Sequence, residues 1–146
     1  MKKIGITGGI ATGKSTVKQV LLKLGYPVLD CDEIVHQLLE EPKVIKKVAD
    51  LFGPEVLMSN KINRQALGKI IFHNQAKQLQ LNELIHPLVI EEINMQLTKL
   101  QAEIVFIDIP LLYEAKLEYL VDQIIVVYLH EDLQIKRLMM RDHINY

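Results

Sequence analysis

With 146 residues, 49% of them apolar, the chain has enough material to bury roughly 70% of its unfolded surface as one globular domain. Its 17 basic and 18 acidic residues nearly cancel and form no block of like sign, so electrostatics offers no argument for a nucleic-acid partner or an anionic membrane, and neither is expected. A single cysteine, Cys31, excludes an internal disulfide and suits a reducing cytoplasm, and no apolar run approaches the roughly 18 residues of a membrane span. Met1-Lys2-Lys3 looks like the start of an export signal, but Thr7, Gly8, Gly9 and Lys14 break the apolar stretch behind it, so none is expected.

In chain order, Ile4-Gly5-Ile6 predicts a short buried strand. It leads into Gly8-Gly9-Ile10-Ala11-Thr12-Gly13-Lys14-Ser15, which fits the phosphate-loop pattern G-x-x-x-x-G-K-[ST]. In such a loop the glycines let backbone N–H groups turn inward around the phosphates of a nucleoside triphosphate. Lys14 is placed to reach the outer phosphates, and the Ser15 hydroxyl to ligate Mg²⁺. The bland alternative is a Gly-rich turn that only caps a helix. Val17, Val20, Leu21 and Leu24 then predict one apolar helix face ending at Gly25, and the start of that helix adds unpaired N–H groups and a positive dipole end. Pro27 to Asp30 predicts a second strand, followed by a helix with Ile34, Val35, Leu38 and Leu39 inside. Asp30, Cys31 and Asp32 therefore fall at a strand's carboxyl end, where open parallel sheets bind their ligands.

Pro42 suits a first helical turn, and Val44, Ile45, Val48, Ala49 and Phe52 continue a face that Gly53-Pro54 stops. Residues 55–62 read as a loop. Asn63 is placed to cap a short helix holding Ala66, Leu67, Ile70 and Ile71, and Asn74 to cap a longer one running toward Glu103, interrupted at His86-Pro87. Ile104 to Asp108 predicts a third buried strand ending in a carboxylate, and Ile124 to Tyr128 a fourth. Asp132 to Arg141 reads as a helix that puts Arg137 and Arg141 on one face. Strands alternating with helices predict an α/β fold built on a parallel sheet, with the helical stretch over about 42–100 inserted into a single domain.

Several residues carry alternative readings. Asp108 fits a Walker-B-like carboxylate holding Mg²⁺ beside Ser15, or a turn former at a strand end. Asp30 or Asp32 fits the carboxylate that orients an acceptor hydroxyl and takes its proton; equally, Asp32 fits an N-cap for a helix beginning at Glu33. Arg137 and Arg141 suit neutralisation of charge on a transferred phosphoryl group, or a solvated face. Arg64 greets an anionic acceptor or simply occupies a first helical turn. The five histidines show no metal-ligand spacing, no G-x-S-x-G elbow is present, and Asn60-Lys61-Ile62-Asn63 lacks the final carboxylate of a guanine-reading motif.

Thr7 to Thr16, the Asp30-Cys31-Asp32 step, Phe52-Gly53, Ile85-His86-Pro87 and Pro110-Leu111-Leu112-Tyr113-Glu114 together closely resemble dephospho-CoA kinase, from Met1 to about residue 142. The resemblance implies a P-loop kinase-like parallel sheet flanked by helices. It also implies transfer of the ATP γ-phosphate to the ribose 3′-hydroxyl of dephospho-CoA. It makes Asp32 the catalytic carboxylate, Gly8, Gly9 and Ala11 to Thr16 the ATP-binding stretch, and Arg137 and Arg141 part of a lid helix over about 131–146. His86-Pro87 becomes a helix junction within an acceptor-binding insertion. The family's chains run on past this length, so the resemblance also implies an incomplete lid and a missing final strand, whose open edge favours self-association. Two other functions fit the loop: a kinase for another small hydroxyl acceptor, or an ATP-binding fragment without turnover.

Overall fold

The computed structural model describes residues 1–9, 13–110, 112 and 115–128. The chain divides into two compact units, one formed by Met1–Cys31 with the residues from Gln101 onward, the other by Asp32–Leu100. The second takes in the helical stretch expected over 42–100 together with the helix before it.

In the first unit, strands β1 (Lys2–Gly8), β2 (Val28–Asp30), β5 (Ile104–Asp108) and β6 (Gln123–Val127) form a parallel sheet in the order β2-β5-β1-β6. The four strands expected from the apolar runs are all present. β5 reads as a continuous apolar run because it lies inside the sheet: Val105 and Ile107 are fully buried, and so is Ile6 on β1. Gly5 is closely packed, since a Cβ there would meet Leu112 Cδ1 at 3.0 Å and Val121 Cγ2 at 3.2 Å. Asp122 fixes the entry to β6, donating its N–H to the Lys3 carbonyl at 2.8 Å while its Oδ2 accepts the Lys3 N–H at 2.8 Å. Tyr26 stands edge-on to Phe106, with ring centroids 5.5 Å apart, and tethers the turn before β2 to β5.

Helix α1 (Lys14–Lys23) follows β1, but its apolar face is less covered than its periodicity predicts: Val17 and Leu21 are half-buried, while Val20 and Leu24 are exposed. Periodicity marks which face can be buried, and tertiary packing decides how much of it is.

α2 (Cys31–Leu38), whose residues from Asp32 on belong to the second unit, buries Ile34 and Leu38, and α3 (Pro42–Phe52) buries Val44 and Val48, as expected. Two expectations change. Residues 55–62 are not an open loop: a 3₁₀ turn, Pro54–Val56, leads into a two-stranded hairpin, β3 (Leu57–Met58) against β4 (Lys61–Ile62). Its turn residues Ser59 and Asn60 both have positive φ, 53° and 64°, which matches the twist of a tight hairpin without the usual glycine.

Nor does Pro87 split a helix, so His86-Pro87 is not a junction. Asn63 and Asn74 cap α4 (Arg64–Phe72) and α5 (Gln75–Lys99) as expected, and α5 runs through Pro87 and stops at Lys99, short of Glu103. An interior proline costs about 3 kcal/mol. Ile85, Val89 and Ile93, spaced four apart and all buried, gain roughly 1.5–3 kcal/mol each, which outweighs that cost. Among the described residues no helix is long and apolar enough to cross a membrane.

Candidate functional site

The site begins where β1 hands over to α1. Gly13, the residue before the helix, has φ 96°, a left-handed conformation that a side chain would strain, so a glycine is needed where the loop turns into the helix. The N–H of Val17 returns to the Gly13 carbonyl at 3.2 Å. The N–H groups ahead of Val17 lack intrahelical acceptors by the geometry of any helix start, and α1 has no acidic residue in its first turn to compensate them. That is an anion-receptive end, and it carries Lys14, Ser15 and Thr16.

Parallel register places two carboxylates side by side at the strand ends facing this helix. Asp30 on β2 pairs in register with Asp108 on β5, and Asp108 in turn with Ile6 on β1. Lys14 Nζ lies 2.8 Å from Asp108 Oδ1. Lys18 Nζ, one helical turn further along α1, lies 2.9 Å from Asp108 Oδ2 and 2.6 Å from Asp30 Oδ2. Two ammonium groups thus balance two carboxylates. The Asp108 side chain is only 4% exposed, so bulk water cannot take the place of these partners. Burial pulls the Lys18 ammonium down, but its hydrogen bonds to Asp30 and Asp108 and their charges outweigh that, and its pKa is raised above the ordinary lysine value.

The two oxygens of Asp108 are not equivalent. Oδ2 is held by Lys18, whereas Oδ1 receives no directed hydrogen bond although Lys14 sits at ion-pair distance. Charge compensation without alignment explains both facts, because an ion pair needs proximity and a hydrogen bond also needs direction. A buried carboxylate oxygen left in this state is a hard ligand suited to Mg²⁺. The Ser15 hydroxyl, exposed in the first turn of α1, is a second hard donor. Among the described residues no three His, Cys, Asp or Glu side chains gather as a protein-only metal cage, so the donor chemistry fits a cation that arrives with phosphate oxygens.

Of the residues singled out from sequence, Lys14 and Asp108 are brought into contact, Ser15 and Thr16 open α1, Gly8 ends β1, and Gly9 follows it exposed. Ala11 and Thr12 lie outside the described residues, as do Arg137, Arg141 and the expected lid helix over 131–146. Lys18 was not anticipated. The signal was present, since Lys18 is four residues after Lys14 and so shares its helix face, while β2 and β5 each end in aspartate.

Asp32 lies in the other compact unit. α2 already begins at Cys31, so Asp32 is inside the first turn with Glu33, not the N-cap of a helix starting at Glu33. Both acidic groups there favour the positive helix end by about 0.3–1 kcal/mol, and Asp32 is exposed. One turn on, His36 Nε2 accepts a hydrogen bond from Arg64 Nη1 at the start of α4, an exposed contact that ties the guanidinium to α2.

The dephospho-CoA kinase family model matches residues 2–146. Among curated relatives, a Bacillus cereus dephospho-CoA kinase is 45% identical over 145 residues, covering 96% of this chain and 72% of the relative. One from Carboxydothermus hydrogenoformans is 45% identical over 144 residues, covering 95% and 70%. Among solved structures, TT1252 from Thermus thermophilus superposes with a TM-score of 0.89 at 32% identity over 99% of this chain and 74% of that one. Dephospho-CoA kinase from Campylobacter jejuni gives 0.71 at 31% identity, over 99% and 75%.

Proposed function

The chain belongs to the dephospho-CoA kinase family, and from that premise we propose that these 146 residues themselves transfer the γ-phosphoryl group of ATP to the ribose 3′-hydroxyl of dephospho-CoA. The observation that supports this most directly is the Lys14–Asp108 pair at the ends of parallel strands, beside a helix start with no acidic residue of its own. The first-turn N–H groups of α1 and the Gly8, Gly9 and Ala11 to Thr16 stretch bind the triphosphate, and Lys14 exchanges Asp108 for the outer phosphates. Ser15 and Asp108 are the residues that would hold Mg²⁺. When bound, the ion neutralises charge on the β- and γ-phosphate oxygens.

Asp32 acts as the base. It orients the acceptor hydroxyl and takes its proton as the acceptor oxygen bonds to the γ-phosphorus and the bond from that phosphorus to the β–γ bridging oxygen breaks, releasing ADP. Arg137 and Arg141 stabilise the charge that spreads onto the moving group. The setting proposed is the cytoplasm. Self-association through the sheet edge belongs to the same reading, since β6 ends the described sheet with Ile125 and Val126 exposed, and a solution mass measurement tests it.

The decisive assay mixes the chain with Mg·ATP and dephospho-CoA and follows coenzyme A and ADP by chromatography, beside a no-acceptor control and other hydroxyl acceptors. Acceptor-dependent coenzyme A in equal amount with ADP is expected. ADP formed only with a different acceptor would replace the substrate, and no product from any acceptor would refute turnover by this chain.

A further inference from the structure

We propose that Lys18 is a positioning residue of the phosphoryl-transfer site, holding Asp108 and Asp30 through one ammonium so that Lys14 can leave Asp108 for an arriving triphosphate. The inference rests on the reading that Lys14 meets the phosphates. Lys14 and Lys18 are one turn apart on α1 and reach the same buried carboxylate from the same helix face, but to different oxygens, Oδ1 at 2.8 Å and Oδ2 at 2.9 Å. Lys14 has this one ion-pair partner among the described residues. Lys18 has two, the second being Asp30 at 2.6 Å.

The two lysines therefore differ in what holds them. Lys14 sits at the loop end of the helix, paired without a directed hydrogen bond, and is the one poised to move. Lys18 lies a turn deeper, bonded on both sides, and is the one anchored. If Lys14 alone compensated Asp108, its departure would strand an almost fully buried charge, and the triphosphate would bear that cost. With Lys18 in place Asp108 keeps a partner on Oδ2 throughout, and Oδ1 becomes available as Lys14 departs. Lys18 thus acts through Asp108 and need not touch the nucleotide.

The test is calorimetric titration of ATP, with and without Mg²⁺, into the wild-type chain and into Lys18→Met, Lys18→Arg and the double variant Lys18→Met/Asp108→Asn. Without Lys18, Asp108 has only Lys14 to hold, so metal-free ATP affinity should fall roughly tenfold or more in Lys18→Met. Lys18→Arg, which keeps the charge and both reaches, should recover most of it. The double variant should bind metal-free ATP at least as tightly as wild type, because no carboxylate is left to detain Lys14. In steady-state assays KM for ATP should rise in Lys18→Met while KM for dephospho-CoA stays put.

Wild-type affinity in Lys18→Met overturns the proposal. So does a double variant weaker than either single change, since that pattern means Lys18 charge acts on the phosphates directly. Should Lys18→Met fail to fold, Lys18→Gln removes the charge while keeping a hydrogen-bonding tip, and the same loss is expected. Wild-type protein that binds no ATP would sink the phosphate-loop reading itself, and this inference with it, and is thereby distinguishable from a failure of Lys18 alone.

Discussion

Asp108→Asn should tighten metal-free ATP binding while abolishing the benefit of Mg²⁺, an unusual sign for a change at a catalytic site. The substitution keeps the side chain's shape but removes the charge that holds Lys14 at 2.8 Å. At that separation two unit charges attract by about 1.5 kcal/mol at the dielectric of water and about 6 kcal/mol at an effective dielectric of 20. Lys14 is 18% exposed and Asp108 4% exposed, so the true figure lies between these limits, reduced by what water returns to a released ammonium. Before that reduction the lower figure corresponds to about a tenfold change in affinity. The variant also removes a negative group facing the place where phosphates would sit, which acts in the same direction. Titration calorimetry of ATP in a chelating buffer, repeated with Mg²⁺, measures both halves. Unchanged or weaker metal-free binding would refute the idea that Asp108 and phosphate compete for Lys14. A full Mg²⁺ enhancement in the variant would remove Asp108 from the metal site.

Asp32→Asn should lower turnover by a factor on the order of a hundred or more with ATP affinity unchanged, measured by coenzyme A formation; a mere twofold loss would return Asp32 to stabilising the first turn of α2. Gly5→Ala should destabilise the chain by about 1–3 kcal/mol in denaturant unfolding, because its Cβ would press on Leu112 at 3.0 Å and Val121 at 3.2 Å, and unchanged stability would contradict that packing. Lys18 has a folded-state pKa above its unfolded value of about 10.4, so its stabilisation is complete below that pH and is lost as pH rises through the higher folded value. The stability gap between wild type and Lys18→Met should therefore hold to about pH 10 and close above it, and a gap that closes below about pH 9 would show that the two carboxylates do not retain the proton on Lys18.

Features that depend on neighbours along the chain are legible in the residues alone. β5 announces itself because a strand buried on both faces must be apolar throughout, as in Ile104-Val105-Phe106-Ile107, and the other three sheet strands are legible as short apolar runs next to turn residues. Asn63 and Asn74 are legible as caps because a short side chain can bond backbone two or three residues on, and both do. Gly13 is legible because the turn from loop into helix calls for a left-handed residue at that point. The same local logic failed at Ser59-Asn60, where a hairpin closes without its usual glycine, and at Pro87, where a local penalty is smaller than the burial of three residues on one side of α5.

How the charged groups of the site meet depends on the folded arrangement of separate elements. Asp30 and Asp108 are 78 residues apart in numbering, and nothing local to either indicates that strand register sets them side by side. Lys18 looks like any surface lysine until α1 is laid against those strand ends. Its burial between two carboxylates then follows from the helical repeat on one side and the parallel register on the other. Motifs survive in one dimension because a bound phosphate is gripped by consecutive backbone groups, whereas the counter-ions that govern the gripping lysine come from separate elements and exist only once the sheet has formed.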